Sequence, residues 1–173
     1  HLKFACFVTG VPGAGKTLAG LNVVHNPALR QAGRPAPVFL SGNGPLVKIV
    51  SAAITRDFRR RTRRDGGERT VSTFIQNVHS FVREAMDKPD TPAPERVVVF
   101  DEAQRAWDAA QNAKKTGQDI SEPETMLSIM DRHQDWAVLI ALVGGGQEIH
   151  NGEAGLAEWG RTLRDKFPHW RVA

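Results

Sequence analysis

The sequence contains a single cysteine and no apolar run long enough to cross a membrane. Cys6 cannot form a disulfide within the chain, and we expect it to be a small buried side chain in a strand, without chemistry of its own. The longest apolar runs, such as 137–143, are far shorter than the roughly 18 residues of a membrane-spanning helix. The N-terminus also lacks the pattern of a signal peptide. These absences favour a cytoplasmic protein.

Length and composition indicate one globular domain. Of the 173 residues, 40% are hydrophobic and 24% are charged, which is typical of a chain that folds without disulfides or repeats. We therefore expect residues 1–173 to form a single domain.

The excess of positive charge lies in one short segment. The chain carries 23 Lys and Arg against 19 Asp and Glu, a net charge of +4, and segment 56–65 supplies this excess with its six arginines and two aspartates. Arginines of this segment, chiefly Arg59, Arg60 and Arg61, could bind the phosphates of a nucleic acid. The alternative is a solvated loop, because two glycines follow the segment and Phe58 is its one aromatic residue.

Strand-like and helix-like segments alternate along the chain. Strands are predicted at 3–9, 37–40, 70–77, 96–100 and 137–143, and helices at 16–25, 45–59, 79–87, 102–114, 123–135 and 153–166. This alternation predicts a three-layer α/β/α fold with a mainly parallel central sheet. Because residues 97–100 and 138–143 are continuously apolar, we expect these two strands at the centre of the sheet, with helices on both faces.

Segment 10–17, Gly-Val-Pro-Gly-Ala-Gly-Lys-Thr, matches the P-loop pattern G-x-x-x-x-G-K-[ST] between a predicted strand and a predicted helix. Its glycines would allow backbone N–H groups to surround a phosphate at the helix N-terminus. Lys16 would reach the β- and γ-phosphate oxygens, and the Thr17 hydroxyl would ligate Mg²⁺. The alternative is an ordinary glycine-rich turn. The predicted nucleotide-binding residues are Gly10, Val11, Pro12, Gly13, Ala14, Gly15, Lys16, Thr17 and Leu18.

Two carboxylates follow the apolar strand at 97–100. Asp101 should hold Mg²⁺ through water, as the partner carboxylate that a P-loop needs at the end of a neighbouring strand. Glu102 would deprotonate a water molecule for attack on the γ-phosphate, which makes water the expected acceptor. The alternative is that both residues cap the next helix.

Other polar and aromatic residues carry weaker signals. Gln147 follows the second apolar strand and could hydrogen-bond the γ-phosphate or the attacking water, with a simple tight turn as the alternative. His79 and His150 have no second ligand at metal spacing. We expect Trp107 and Trp159 to pack against helix faces rather than to stack on bases.

Three blocks carry a resemblance to a known family. They are Phe-Leu-Ser-Gly-Asn-Gly-Pro-Leu at 39–46, Asp-Glu-Ala-Gln-Arg-Ala-Trp-Asp at 101–108, and the segment 143–159, which begins Val-Gly-Gly-Gly-Gln-Glu-Ile. Together with the P-loop, they resemble the Schlafen group 3-like DNA/RNA helicase domain, whose ATPase core is similar to superfamily 1 helicases. The resemblance spans nearly the whole chain. It implies a RecA-like fold, binding of ATP and Mg²⁺, and single-stranded DNA or RNA as a partner.

The resemblance also implies roles for individual residues. Ser41 and Asn43 fall in the place of helicase motif Ia and His79 in that of the Thr-x-His segment, both of which usually line the nucleic-acid path. Gln147 takes the place of motif III. The adenine-reading glutamine and the second RecA-like lobe, with its arginines, have no counterpart. The resemblance thus implies an excised first lobe, which we expect to hydrolyse ATP slowly by itself.

The resulting hypothesis is an ATP-hydrolysing helicase or translocase lobe. In it, the strand at 137–143 should lie between the P-loop strand and the strand that ends before Asp101. A nucleotide-dependent assembly or regulatory module is the alternative, because a P-loop does not exclude it. A phosphotransferase is disfavoured by Glu102 and by the absence of an arginine-rich lid segment.

Overall fold

The computed structural model describes residues 2–29, 36–62, 74–144 and 155–173. Within these residues the strands are β1 (Leu2–Gly10), β2 (Val38–Ser41), β3 (Ile75–Asn77), β4 (Val97–Phe100), β5 (Trp136–Gly144) and β6 (Arg171–Val172). They form one six-stranded sheet with the order β3-β2-β4-β5-β1-β6. All neighbouring strands in it run parallel.

The helices in the described residues connect these strands. They are α1 (Lys16–His25), α2 (Gly44–Thr62), α3 (Val78–Met86), α4 (Ala109–Thr116), α5 (Glu122–Asp131) and α6 (Gly155–Lys166), with short 3₁₀ turns at Pro27–Leu29 and Ala103–Arg105. None of these helices is long and apolar enough to cross a membrane.

Helices cover both faces of the sheet. Since alternate residues of a strand point to opposite faces, one strand contributes side chains to the clusters on both faces. On β4, Val98 and Phe100 belong to one buried cluster and Val99 to another. The first cluster includes buried residues of α3, α5 and α6, and the second includes Val24 of α1 with residues of α2 packed against it. The prediction of a three-layer α/β/α fold around a parallel sheet is therefore confirmed.

The two continuously apolar strands lie where the sequence predicts them. All four residues of β4 are buried, and β5 pairs with β4 on one side and with β1 on the other. The strand at 137–143 thus lies between the strand that ends before Asp101 and the strand that leads into segment 10–17.

The predicted continuous helix at 102–114 is wrong. The chain leaves β4 through the 3₁₀ turn at Ala103–Arg105, becomes extended at Ala106, and starts α4 only at Ala109. The left-handed backbone of Glu102 precedes the 3₁₀ turn, and the Asp108 carboxylate accepts a hydrogen bond from the Gln111 N–H at 2.8 Å and so caps the new helix start.

Smaller differences concern element ends and burial. Strand β6 was not predicted, because two residues are too short to show a periodic pattern. The strand predicted at 70–77 is β3 at its C-terminal end, while 70–73 fall outside the described residues. Cys6 is half-buried rather than buried, since β1 has only the two-residue β6 beyond it in the sheet.

Candidate functional site

The candidate site lies at the carboxyl edge of the sheet. Because β1, β2, β4 and β5 are parallel, the residues that follow them meet at this edge. Gly10 is in register with Gly144, and Phe100 with both Leu40 and Ala141. The sheet therefore brings segment 10–17, Asn43 and the pair of carboxylates at 101–102 to one region, as the sequence predicts.

Segment 10–17 forms a tight connection between β1 and α1. Gly13 and Gly15 have φ angles of 80° and 84°, a left-handed conformation that favours glycine. No side chain caps the start of α1, which leaves the partial positive charge of its first turn unmatched by a side-chain acceptor. Lys16 Nζ donates to Gly10 O at 2.6 Å and to Val11 O at 3.0 Å. These two contacts turn the ammonium group back over the loop.

Thr17 and Asp101 contact each other across the edge. The Thr17 hydroxyl lies 3.2 Å from Asp101 Oδ1 and 3.4 Å from Oδ2. Asp101 is buried, and burial together with the neighbouring Glu102 carboxylate raises the pKa of Asp101, against the opposing effect of the Thr17 hydrogen bond. Hydroxyl and carboxylate oxygens are the ligands that Mg²⁺ prefers, and this ion takes its remaining ligands from water and phosphate. The two residues fit that donor set.

The structure shows no cluster of metal-ligating side chains in the residues that it describes. Among these residues, no three His, Cys, Asp or Glu side chains are close enough together to hold an ion.

Glu102 has a strained backbone. Its φ of 55° is positive, and among the described residues it is the one non-glycine residue with such an angle. Left-handed backbone costs a non-glycine residue about 1–2 kcal/mol, and such strain is concentrated at functional sites. Glu102 precedes the 3₁₀ turn but makes no side-chain capping hydrogen bond. The capping alternative therefore does not account for this carboxylate.

Gln104 is a site residue that the sequence analysis missed. Its Nε2 donates to Glu102 Oε2 at 2.7 Å, and its Oε1 accepts from the Gly144 N–H at 2.9 Å. Gln104 is buried, so the side chain joins Glu102 to the last residue of β5. The sequence offered one signal for Gln104: it lies two residues after Glu102, in the block at 101–108 that carries the family resemblance.

A cavity of about 450 Å³ lies beside the Asp101 and Glu102 carboxylates. Thr17, Asp101 and Glu102 line one part of it, and its other walls include Asn43, Val78, His79, Arg105, Trp107 and Glu122. Asn43 and His79, two of the six predicted nucleic-acid residues, therefore share a cavity with Thr17, Asp101 and Glu102.

The remaining predicted residues have different outcomes. Ser41 is fully buried, and its hydroxyl oxygen accepts from the Asn43 N–H at 3.2 Å, so its side chain shapes the turn that presents Asn43. Arg59, Arg60 and Arg61 belong to the last turns of α2, so this part of the charged segment is helical rather than a loop. Gln147 and His150 lie outside the described residues. Trp159 is fully buried under the sheet, as predicted.

Two comparisons relate the chain to known proteins. The sequence pattern of the Schlafen group 3, DNA/RNA helicase domain matches residues 3–173. The crystal structure of the Pyrococcus furiosus Hef helicase domain is similar, with a TM-score of 0.54 and 12% sequence identity. That match covers 98% of this chain and 34% of the Hef chain, so the chain spans about a third of that length. At this identity the similarity shows the fold alone. A comparison with curated proteins gave no match.

Proposed function

The chain belongs to the Schlafen group 3 DNA/RNA helicase domain family, and on this basis we propose that it is the ATP-binding and ATP-hydrolysing lobe of a DNA or RNA helicase or translocase. The observation that carries the proposal is the contact between the Thr17 hydroxyl and Asp101, beside Lys16 on one side and the strained Glu102 on the other. These are the parts that phosphoryl transfer to water requires: a cation for the phosphates, oxygen ligands for a metal ion, and a base.

Each residue would have a distinct role. Lys16 Nζ would exchange its backbone acceptors for the β- and γ-phosphate oxygens. Thr17 and Asp101 would hold Mg²⁺, which supplies charge neutralisation on the phosphates when bound. Glu102 would orient a water molecule and accept its proton as the new P–O bond forms and the bond to ADP breaks. Gln104, which donates to Oε2 of Glu102, would hold the carboxylate in place during this step.

We also propose that the chain works as the first of two RecA-like lobes. Coupling to nucleic acid, the second lobe and the activity of the whole protein all belong to this proposal. Gln147 would report the γ-phosphate to the nucleic-acid face, and Asn43 and His79 would contribute to that face.

Two variants test the hydrolytic site. Lys16→Ala should lose ATP binding, because it removes the cation at the loop, whereas Glu102→Gln should bind ATP normally and lose turnover. Lys115→Ala is the matched control, since Lys115 is exposed on α4 and does not line the cavity. Calorimetry measures binding and phosphate release measures turnover. Equal ATP affinity of wild type and Lys16→Ala would contradict the assignment of the nucleotide site. Undiminished turnover of Glu102→Gln would contradict the assignment of Glu102 as the base.

A third measurement tests the coupling to nucleic acid. Single-stranded DNA or RNA should stimulate hydrolysis by the full-length parent protein. An assembly or regulatory module would instead respond to a protein partner and show no stimulation by either strand.

A further inference from the structure

The cavity beside Asp101 and Glu102 has aromatic walls that hydrolysis does not use. The rings of His79 and Trp107 are stacked, with centroids 4.2 Å apart and an interplanar angle of 18°. The His79 side chain is 33% exposed and Trp107 is half-buried, so the pair is part of the cavity surface rather than of the core. Trp107 therefore packs on a residue of α3, as expected, but it also faces the cavity.

Hydrogen bonds hold the backbone that carries each ring, and the His79 ring itself lies with Nδ1 3.6 Å from Glu122 Oε1. The Trp107 backbone N–H donates to Glu122 Oε2 at 3.0 Å, and the Trp107 backbone carbonyl accepts from the Glu122 backbone N–H at 2.9 Å. His79 stands in the first turn of α3, where Asn77 Oδ1 accepts from the His79 N–H at 3.0 Å. The stacked pair is thus held from α3 and α5, and a ligand would meet a surface that is already ordered.

The charges in this part of the cavity favour a neutral flat group over a phosphate. Burial, with a smaller contribution from Arg83, lowers the pKa of His79 and so favours the uncharged imidazole. Burial raises the pKa of Glu122 to about 7, so this carboxyl is partly protonated there. Asp101 and Glu102 would repel a phosphate of a nucleic-acid strand, which does not share the Mg²⁺ proposed for ATP. Arg105 is exposed at the cavity wall. There it could bind a phosphate of the strand that stays outside the cavity.

We propose that the stacked His79 and Trp107 rings form a platform on which one unpaired base of a single-stranded nucleic acid stacks. Every base offers a π-face, so the platform would hold a strand without reading its sequence. This inference rests on the proposed function and adds to it a residue, Trp107, that no other observation assigned to nucleic acid. Trp107 lies on the segment that begins at Asp101 and Glu102, so a short stretch of chain connects the platform to the proposed hydrolytic carboxylates.

The test compares the affinity of tryptophan variants for labelled oligothymidine and oligouridine. Trp107→Leu should weaken binding roughly 5- to 150-fold, which corresponds to the usual contribution of one stacked base. Trp107→Phe keeps an aromatic ring and should restore most of the affinity. Trp136→Leu is the matched control, because Trp136 starts β5 at the opposite edge of the sheet. The dependence of log affinity on log salt should be the same for all variants, since no phosphate contact changes.

Two further measurements test whether the stacked base belongs to the nucleic-acid strand or to ATP. An oligonucleotide with abasic sites should bind wild type and Trp107→Leu equally. ATP alone should also bind both equally, because the platform takes a base of the strand and not that of the nucleotide. Circular dichroism and thermal unfolding verify that each variant is folded.

The outcomes separate this inference from the proposed function. If wild type binds the strands and Trp107→Leu binds them equally well, the platform is wrong and the proposed function stands. If abasic and normal oligonucleotides bind wild type with equal affinity, the platform is also wrong. If wild type binds no strand at all, both the platform and the coupling to nucleic acid are wrong, whatever the Lys16 and Glu102 variants show.

Discussion

Gln104 holds the Glu102 carboxylate by a hydrogen bond of 2.7 Å from its side-chain amide. The opposite end of the same amide accepts from the Gly144 N–H at 2.9 Å. Only one amide orientation satisfies both neighbours, because a carboxylate needs a donor and a backbone N–H needs an acceptor. Glu102 is therefore fixed twice, by its left-handed backbone and by Gln104. Since Gly144 ends β5, Gln104 also links Glu102 to the strand that leads towards Gln147.

We predict that Gln104 positions the base rather than binding nucleotide. Gln104→Leu should lower kcat for ATP about 10- to 100-fold, as loss of an orienting partner does at other sites, with little change in KM. Gln104→Glu should move the acidic limb of the pH–rate profile to higher pH, because a second carboxylate beside Glu102 disfavours its ionised form.

The matched control for this prediction is Gln111→Leu on α4, away from the cavity. A purely structural role for Gln104 would lower stability without moving the pH profile. Unchanged kcat in Gln104→Leu would contradict the assignment.

The parts of the site that could be predicted from sequence are those that local chemistry determines. Segment 10–17 matches the P-loop pattern directly after a predicted strand, and Asp101 and Glu102 directly follow an apolar strand. Both features can therefore be recognised from neighbouring residues alone. The break after Glu102 could not be predicted, because the following residues are compatible with a helix. Two distant contacts hold the 3₁₀ turn instead: Gln104 with Gly144, 40 residues away, and Trp159 Nε1 with Ala103 O, 56 residues away.

The aromatic pair was missed for the same reason. Nothing near Trp107 in the sequence indicates His79 as its neighbour, because the two residues lie on different elements and are brought together by α5. Glu122 lies one residue before the helix predicted at 123–135, and no local signal indicates that its carboxyl is buried against Trp107.

We predict that Glu122 makes the protein less stable as pH rises. Its folded pKa of about 7 lies above the ordinary value of 4.5. Below pH 4.5 the carboxyl is protonated in both states, and between pH 4.5 and 7 the unfolded chain loses the proton while the folded chain keeps it. The free energy of unfolding therefore falls through this window, by on the order of 3 kcal/mol in total.

Glu122→Gln isolates this effect, because an amide oxygen can still accept from the Trp107 N–H. The stability of the variant relative to wild type should increase between pH 4.5 and 8, as measured by urea unfolding at several pH values. A constant difference across that range would show that burial does not shift the pKa of Glu122.

The arginine segment yields a prediction about salt. If these residues contact phosphates, the slope of log affinity against log salt should fall by about one for each contacting arginine removed. Arg59, Arg60 and Arg61 occupy consecutive positions of α2, which lie about 100° apart around the helix axis. Replacing all three with Ser should therefore reduce the slope by about one or two rather than three.

The control for this measurement is Arg164→Ser, an exposed arginine on α6. Sequence preference should not change in any of these variants. An unchanged slope and an unchanged affinity in the triple variant would show that these arginines do not contact phosphates.

The last prediction concerns the packing that positions α1 and segment 10–17. A Cβ on Gly20 would lie 2.8 Å from both Val99 Cγ1 and Leu142 Cδ1, which are buried and unable to move away easily. Gly20→Ala should therefore lower the free energy of unfolding by about 2 kcal/mol, despite the gain in helix propensity. Gly160→Ala in α6 meets no atom within 4 Å and should raise it by about 0.5–1 kcal/mol. Thermal unfolding of both variants measures the contrast, and stabilisation by both would mean that α1 does not lie this close to the sheet.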